Sequence, residues 1–207
     1  MVRQSRLGVW IGVALGVALA ATCLVLGLLG AGEKPTRLAL EITARWSFLL
    51  FWLAYAGNGV AKIFGWETLS GRGRELGLSF ATAHLVHIGL VIWLSYLLGR
   101  IALSGGLLIF FLVGLFFVYL LAALSFGGAK AMGLRAWRVV RFVGMNYILI
   151  AFARDFVLPV LHPKPTQYTL AHFLSYAPFA ALSVAAPLLV LATGLPPPSA
   201  LKPEAGT

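Results

Sequence analysis

Two histidines, His84 and His87, stand three positions apart in ELGLSFATAHLVHIGLVIWL, residues 75–94, a stretch that otherwise belongs in lipid. On a helix this spacing turns both imidazoles to roughly one side. Counted from Leu76 at 1.5 Å per residue, His84 lies about 12 Å and His87 about 17 Å deep, near the middle of a bilayer. A polar side chain there needs a partner and usually faces a bundle interior or a cavity. Three chemistries suit it. A neutral imidazole can ligate haem iron, or bind a quinone or a proton. The plainest role is an interhelical hydrogen bond, worth about 1–2 kcal/mol in model systems.

The elements that must position these rings follow from composition. The chain has 207 residues, of which 60% are hydrophobic and 11% charged. A soluble domain carries about a quarter charged residues. Several apolar runs near twenty residues set the class as an integral membrane protein. Six spans are expected: 7–29, 46–64, 76–98, 101–126, 137–156 and 170–193. All have helix length, and none shows the short alternation of barrel strands. The fold class is therefore all-α, a six-helix transmembrane bundle forming a single domain over residues 1–195. A short proline-rich tail, 196–207, follows it. The first run is longer than a signal-peptide core and reads as a retained anchor. Pro178 and Pro187 are expected to bend the sixth helix, and Pro159, Pro163 and Pro165 to mark the loop before it. The inverted repeat of many transporters is not visible.

The net charge of +10 does not point to nucleic acid. The basic residues cluster between apolar runs, where they set topology and meet headgroups. With the N-terminus inside, the inner group is Arg3, Arg6, Lys62, Arg72, Arg74, Lys130, Arg135, Arg138, Arg141 and Lys202. The outer group is Lys34, Arg37, Arg45, Arg100, Arg154 and Lys164. This bias predicts that both termini are cytoplasmic. Cys23, the one cysteine, lies in the first run, so there is neither an intrachain disulfide nor a CxxC motif.

The segment GRGRELGLSFATAHLVHIGL, residues 71–90, resembles the ferric-reductase-like transmembrane domain family, which includes bacterial haem b membrane subunits. In that family a basic pair and LGL lead into a helix with an axial histidine. Arg74, Leu76, Gly77, Leu78 and His87 match the pattern, with His84 a near alternative. ITARWSFLLFWLAYAGNGVAKIFG, residues 42–65, is similar to the family's preceding helix, and the resemblance covers about 43–156. It implies a b-type haem held by His87 or His84, in a bacterial inner (cytoplasmic) membrane.

The departure from the family lies in WRVVRFVGMNYILIAFARDF, residues 137–156. After Trp137 and Arg138, Arg141 stands where the resemblance implies a histidine. A second family histidine falls near Arg154. Arginine stays protonated, so it cannot supply the neutral nitrogen that iron needs. Histidine ligation between the third and fifth helices is therefore not available. His172 and His162, towards the outer side, and Met145, a thioether on the fifth helix, are substitutes to weigh. Arg141 and Arg154 are candidates for pairing with haem propionates or for contact with lipid. Asn58, Lys62 and Asn146 are candidates for a polar patch around the histidines.

Two functions follow as expectations. One is a membrane-embedded electron-transfer subunit. The chain has no Rossmann fingerprint, because SGRGRELG follows no strand. Its electrons would come from quinol or from a separate flavoprotein docked on the basic loops. The other is a haem-free scaffold or assembly subunit of a membrane complex. A transporter ranks third, since intramembrane acids are few: Asp155 is the one within the inner parts of a span, and it is near an end.

Overall fold

The computed structural model describes residues 2–128, 132–163 and 169–194, with side chains from residue 7 onward. The tail 196–207, Lys130, Lys164 and Pro165 lie outside them, as do the side chains of Arg3 and Arg6. The elements are α1 (Val2–Leu29), α2 (Glu33–Phe64), a 3-10 turn (Glu67–Leu69), α3 (Gly73–Leu97), α4 (Gly105–Ala123), α5 (Leu134–Leu161) and α6 (Leu170–Thr193). Among the described residues, six helices are long and apolar enough to cross a membrane. They form an all-helical bundle consistent with a membrane protein.

Helix α2 is the centre. Half (50%) of its most apolar window is buried inside the bundle, against 17% for α1, α4 and α6. It packs on α1, α3 and α6. Its buried face is rich in small side chains, including Ala39, Thr43, Ser47, Ala54 and Gly57. Small residues let helix backbones approach closely where lipid provides no hydrophobic drive. Phe48 and Phe51, 0% and 1% exposed, fill the middle. Phe48 meets Phe152, Phe156 and Phe179 at centroid distances of 5.2, 5.0 and 6.1 Å. This one side chain therefore ties α2 to both α5 and α6.

Donors on Trp and Tyr fasten neighbouring helices. The Trp46 indole donates to the Ala14 carbonyl at 2.9 Å, and the Trp52 indole to that of Leu182 at 2.8 Å. The Tyr147 hydroxyl donates to the Phe110 carbonyl at 3.0 Å. Helix α4 is peripheral and lies along α5 where both have glycine. A Cβ at Gly144 would come within 3.0 Å of Leu121 and Phe117, so the close approach requires the missing side chain.

Several boundaries differ from the sequence expectation. Helix α2 starts at Glu33, not Trp46. Its first turns are too polar for lipid but carry i,i+4 ion pairs, Glu33–Arg37 at 2.9 Å and Glu41–Arg45 at 3.3 Å, which support a solvated helix. Pro159, expected in a loop, lies inside α5. It forgoes the bond to the carbonyl four residues back, that of Asp155, and the helix ends two residues later. Helix α6, by contrast, keeps the expected bounds, Leu170–Thr193, with Pro178 and Pro187 inside it. Helix α4 closes in a π turn over Leu124–Gly128.

The core predicts that Phe48→Ala destabilises the bundle by about 3–5 kcal/mol. Phe116→Ala, on the exposed face of α4, should stay within about 0.5 kcal/mol of the parent. Chemical unfolding in detergent micelles measures both.

Candidate functional site

His84 and His87 face the bundle from α3, and their rings stack on each other. The centroids are 5.1 Å apart and the planes 15° from parallel. The two axial ligands of one iron stand on opposite sides of it, so face-stacked rings are not an axial pair. A haem here would be held by one of the two histidines alone, or by one of them with a second ligand from another helix.

His87 is anchored to α2. Its Nδ1 lies 3.2 Å from the Thr43 Oγ1. The Thr43 hydroxyl donates to the Ala39 carbonyl at 2.8 Å. A hydroxyl has a single proton, so Thr43 accepts from the His87 Nδ1–H. The lone pair of the neutral ring then lies on Nε2. An anchoring bond at one ring nitrogen is how ligating histidines have their tautomer and orientation fixed.

His84 has different surroundings. Its ring lies against Phe80 at 5.4 Å and Phe152 at 6.2 Å. Its Nδ1 is buried with no hydrogen-bond partner. The other unpartnered buried polar atoms among the described residues are Ser47 Oγ, Ser79 Oγ and Glu75 Oε2, also on α2 and α3.

From α5, the Phe152 ring is what meets His84. Beyond His84 the rings continue as Phe152, Phe156 and Tyr176. Phe152 stacks on Phe156 at 6.3 Å, and Phe156 meets Tyr176 at 6.5 Å. His172 stands at the far end of this row, 4.7 Å from Tyr176, with its Nε2 at 3.4 Å from the Pro159 carbonyl. Side chains thus fill the route between His84 and His172. His162 is the C-cap of α5, and Met145 packs on the aromatic core.

The two arginines lie apart from the histidines. A guanidinium nitrogen of Arg141 is 3.7 Å from the Cβ position at Gly73. Gly73 opens α3 eleven residues before His84, a rise of about 16 Å. Arg154 pairs with Asp155 at 3.0 Å and lies 5.8 Å over Phe111 of α4.

The polar patch expected from Asn58, Lys62 and Asn146 does not form around the histidines. Asn58 accepts from the Gly71 amide at 3.0 Å, and Lys62 donates to the Thr193 carbonyl at 3.1 Å. Asn146 accepts from the Tyr55 hydroxyl at 3.0 Å. Each is taken up by a nearer helix or turn. Among the described residues, no group of three or more His, Cys, Asp or Glu side chains could hold a metal ion.

Sequence reasoning found the histidine pair but missed Thr43 and the Phe152 wall. Thr43 was within reach, since it is the second residue of the ITARW segment on the neighbouring helix. The wall is one of many phenylalanines, and nothing in the spacing marks it out. No family model, curated protein or solved structure matches this chain.

Thr43→Val removes the oxygen that holds His87, and is expected to cost about 1 kcal/mol, the scale of interhelical bonds in membranes. Nitrogen-15 NMR of the imidazoles should show His87 protonated on Nδ1 in the parent and a mixture of tautomers in the variant. An unchanged spectrum would refute the assigned bond.

Proposed function

We propose that this chain is a haem-free scaffold subunit of a membrane complex, built on a bundle resembling the ferric-reductase-like domain. The observation that carries this reading is the row of Phe152, Phe156 and Tyr176 between His84 and His172. A flat macrocycle needs that space, and here aromatic packing uses it. The arginines that replace the family's second-ligand histidines support the same reading. So does the stacking of His84 on His87, which makes the pair a packing element.

The reading includes an orientation. The start of α1, the α2–α3 turn and the start of α5 face the cytoplasm, by the bias in Lys and Arg. The resemblance suggests a bacterial inner membrane. The binding partner is another membrane subunit, met within the bilayer. Ala177, Ala181 and Ala185 lie one turn apart on α6, along an open apolar groove against α5. Spacing of this kind lets a transmembrane helix approach closely.

A second reading is an electron-transfer subunit with a b-type haem on His87, fed by quinol or a separate flavoprotein. The bond from His87 to Thr43 favours it, because it leaves Nε2 with the lone pair that iron would take. Arg141 lies too far along the bundle from the histidines to pair with the propionates of a haem on His87.

A reduced-minus-oxidised absorbance spectrum with pyridine haemochrome quantitation separates the two. The scaffold reading expects no haem in protein expressed with ample haem supply. A b-type signal near one haem per chain, lost in His87→Ala, would overturn it in favour of electron transfer.

A further inference from the structure

The two ends of the bundle handle charge differently. One end carries the start of α2 and the ends of α3 and α5. There Arg37 pairs with Glu33, Arg45 with Glu41 and Arg154 with Asp155. The other end gathers Lys62, Arg72, Arg74, Arg135, Arg138 and Arg141, and among the described residues none of these is in an ion pair. Glu67 and Glu75 are the acids described at that end, and neither reaches a basic group. At the first end, among the described residues, Lys34 and Arg100 are also in no ion pair. That end holds five basic and three acidic groups against six and two here, so the larger positive excess of the described bundle sits at this end.

Within that end the charges converge on the first turn of α3. Arg141 reaches across from α5 to lie beside Gly73. Arg74, the next residue, lies 5.9 Å over the Phe126 ring at the end of α4. Arg138 is one turn before Arg141 on α5, and both are exposed. Two helices thus bring guanidinium groups to one place, and Glu75, in the same first turn of α3, is in no ion pair with them. Phe126 and Phe142, 67% and 63% exposed, stand beside these arginines, and aromatic rings of this kind sit at the boundary of headgroups and acyl chains.

We propose that the junction of α3, α4 and α5 is a binding site for one anionic phospholipid. Its phosphodiester would be held by Arg74 and Arg141, and its chains would lie along Phe126 and Phe142. Arginine is suited to this because its planar fork bonds two phosphate oxygens at once. The chemistry favours a lipid over an acidic protein, because the guanidinium groups share their level with exposed apolar rings that a soluble partner would leave uncovered. The site rests on the membrane reading of the bundle and is independent of any haem.

The test uses the full chain in nanodiscs holding equal phosphatidylglycerol and phosphatidylcholine. The protein is extracted in mild detergent, and the phospholipid that stays bound is quantified. A basic residue at a membrane surface favours anionic lipid by about fivefold, so at least about fivefold enrichment of phosphatidylglycerol is expected. It should fall to the nanodisc ratio in Arg74→Gln/Arg141→Gln and persist in Arg37→Gln. In the unmutated protein, 1 M salt, where the Debye length is about 3 Å, should also reduce it, which keeps the test valid if the double variant does not fold. Bound lipid at the nanodisc ratio in the unmutated protein would overturn the site. So would enrichment that survives the double variant in folded form, since the charge would then act diffusely. If polyglutamate raises the melting temperature while lipid shows no enrichment, the surface serves an acidic polypeptide and the lipid proposal fails.

Discussion

A helix in lipid has satisfied its own backbone, so anything joining two helices must use what the backbone leaves over. Each carbonyl has a second lone pair that the helix does not consume. This bundle draws on that pair repeatedly. Trp46 bonds α2 to α1, and Trp52 bonds α2 to α6. Tyr119 bonds α4 to α3, and Tyr147 bonds α5 to α4. These side chains bury an apolar body and place one donor at its tip. They fix the rotation of each helix against its neighbour without opening a helical bond. The phenylalanine core and the small-residue face of α2 then set how closely the helices approach.

Much of this architecture was legible in the sequence. Runs of apolar residues marked the helices, and the span 170–193 coincides with α6. Where boundaries were missed, the cause was physical. Apolar content marks what lies in lipid, not where a helix stops. Glu33, Arg37, Glu41 and Arg45 are polar yet helical, held by pairs one turn apart. Proline usually marks loops, but Pro159 is close enough to the end of α5 to be accommodated there.

The site was legible in half. His84 and His87 stood out because polar groups are costly in lipid, and spacing alone placed them on one side of a helix. Their partners depend on how helices rotate against one another, which a single chain of letters does not encode. Thr43 and His87 are 44 positions apart, and only the packing of α2 on α3 brings them within 3.2 Å. Asn146 shows the same limit. It sits near the middle of α5, as a polar residue seeking a neighbour should, but that neighbour is Tyr55 and not a histidine.

The helices also differ in reach. At 1.5 Å per residue, the 32 residues of α2 extend about 48 Å, and the 19 of α4 about 28 Å. The hydrocarbon layer is about 30 Å thick. With the π turn that continues it, the α4 span covers the 24 residues Gly105–Gly128 and matches that layer, whereas α2 overshoots it by about 18 Å. The surplus of α2 is its polar start, where Glu33 pairs with Arg37 and Glu41 with Arg45. The molecule is therefore tallest at its centre, and one helix carries the bundle's core out past the hydrocarbon on one side.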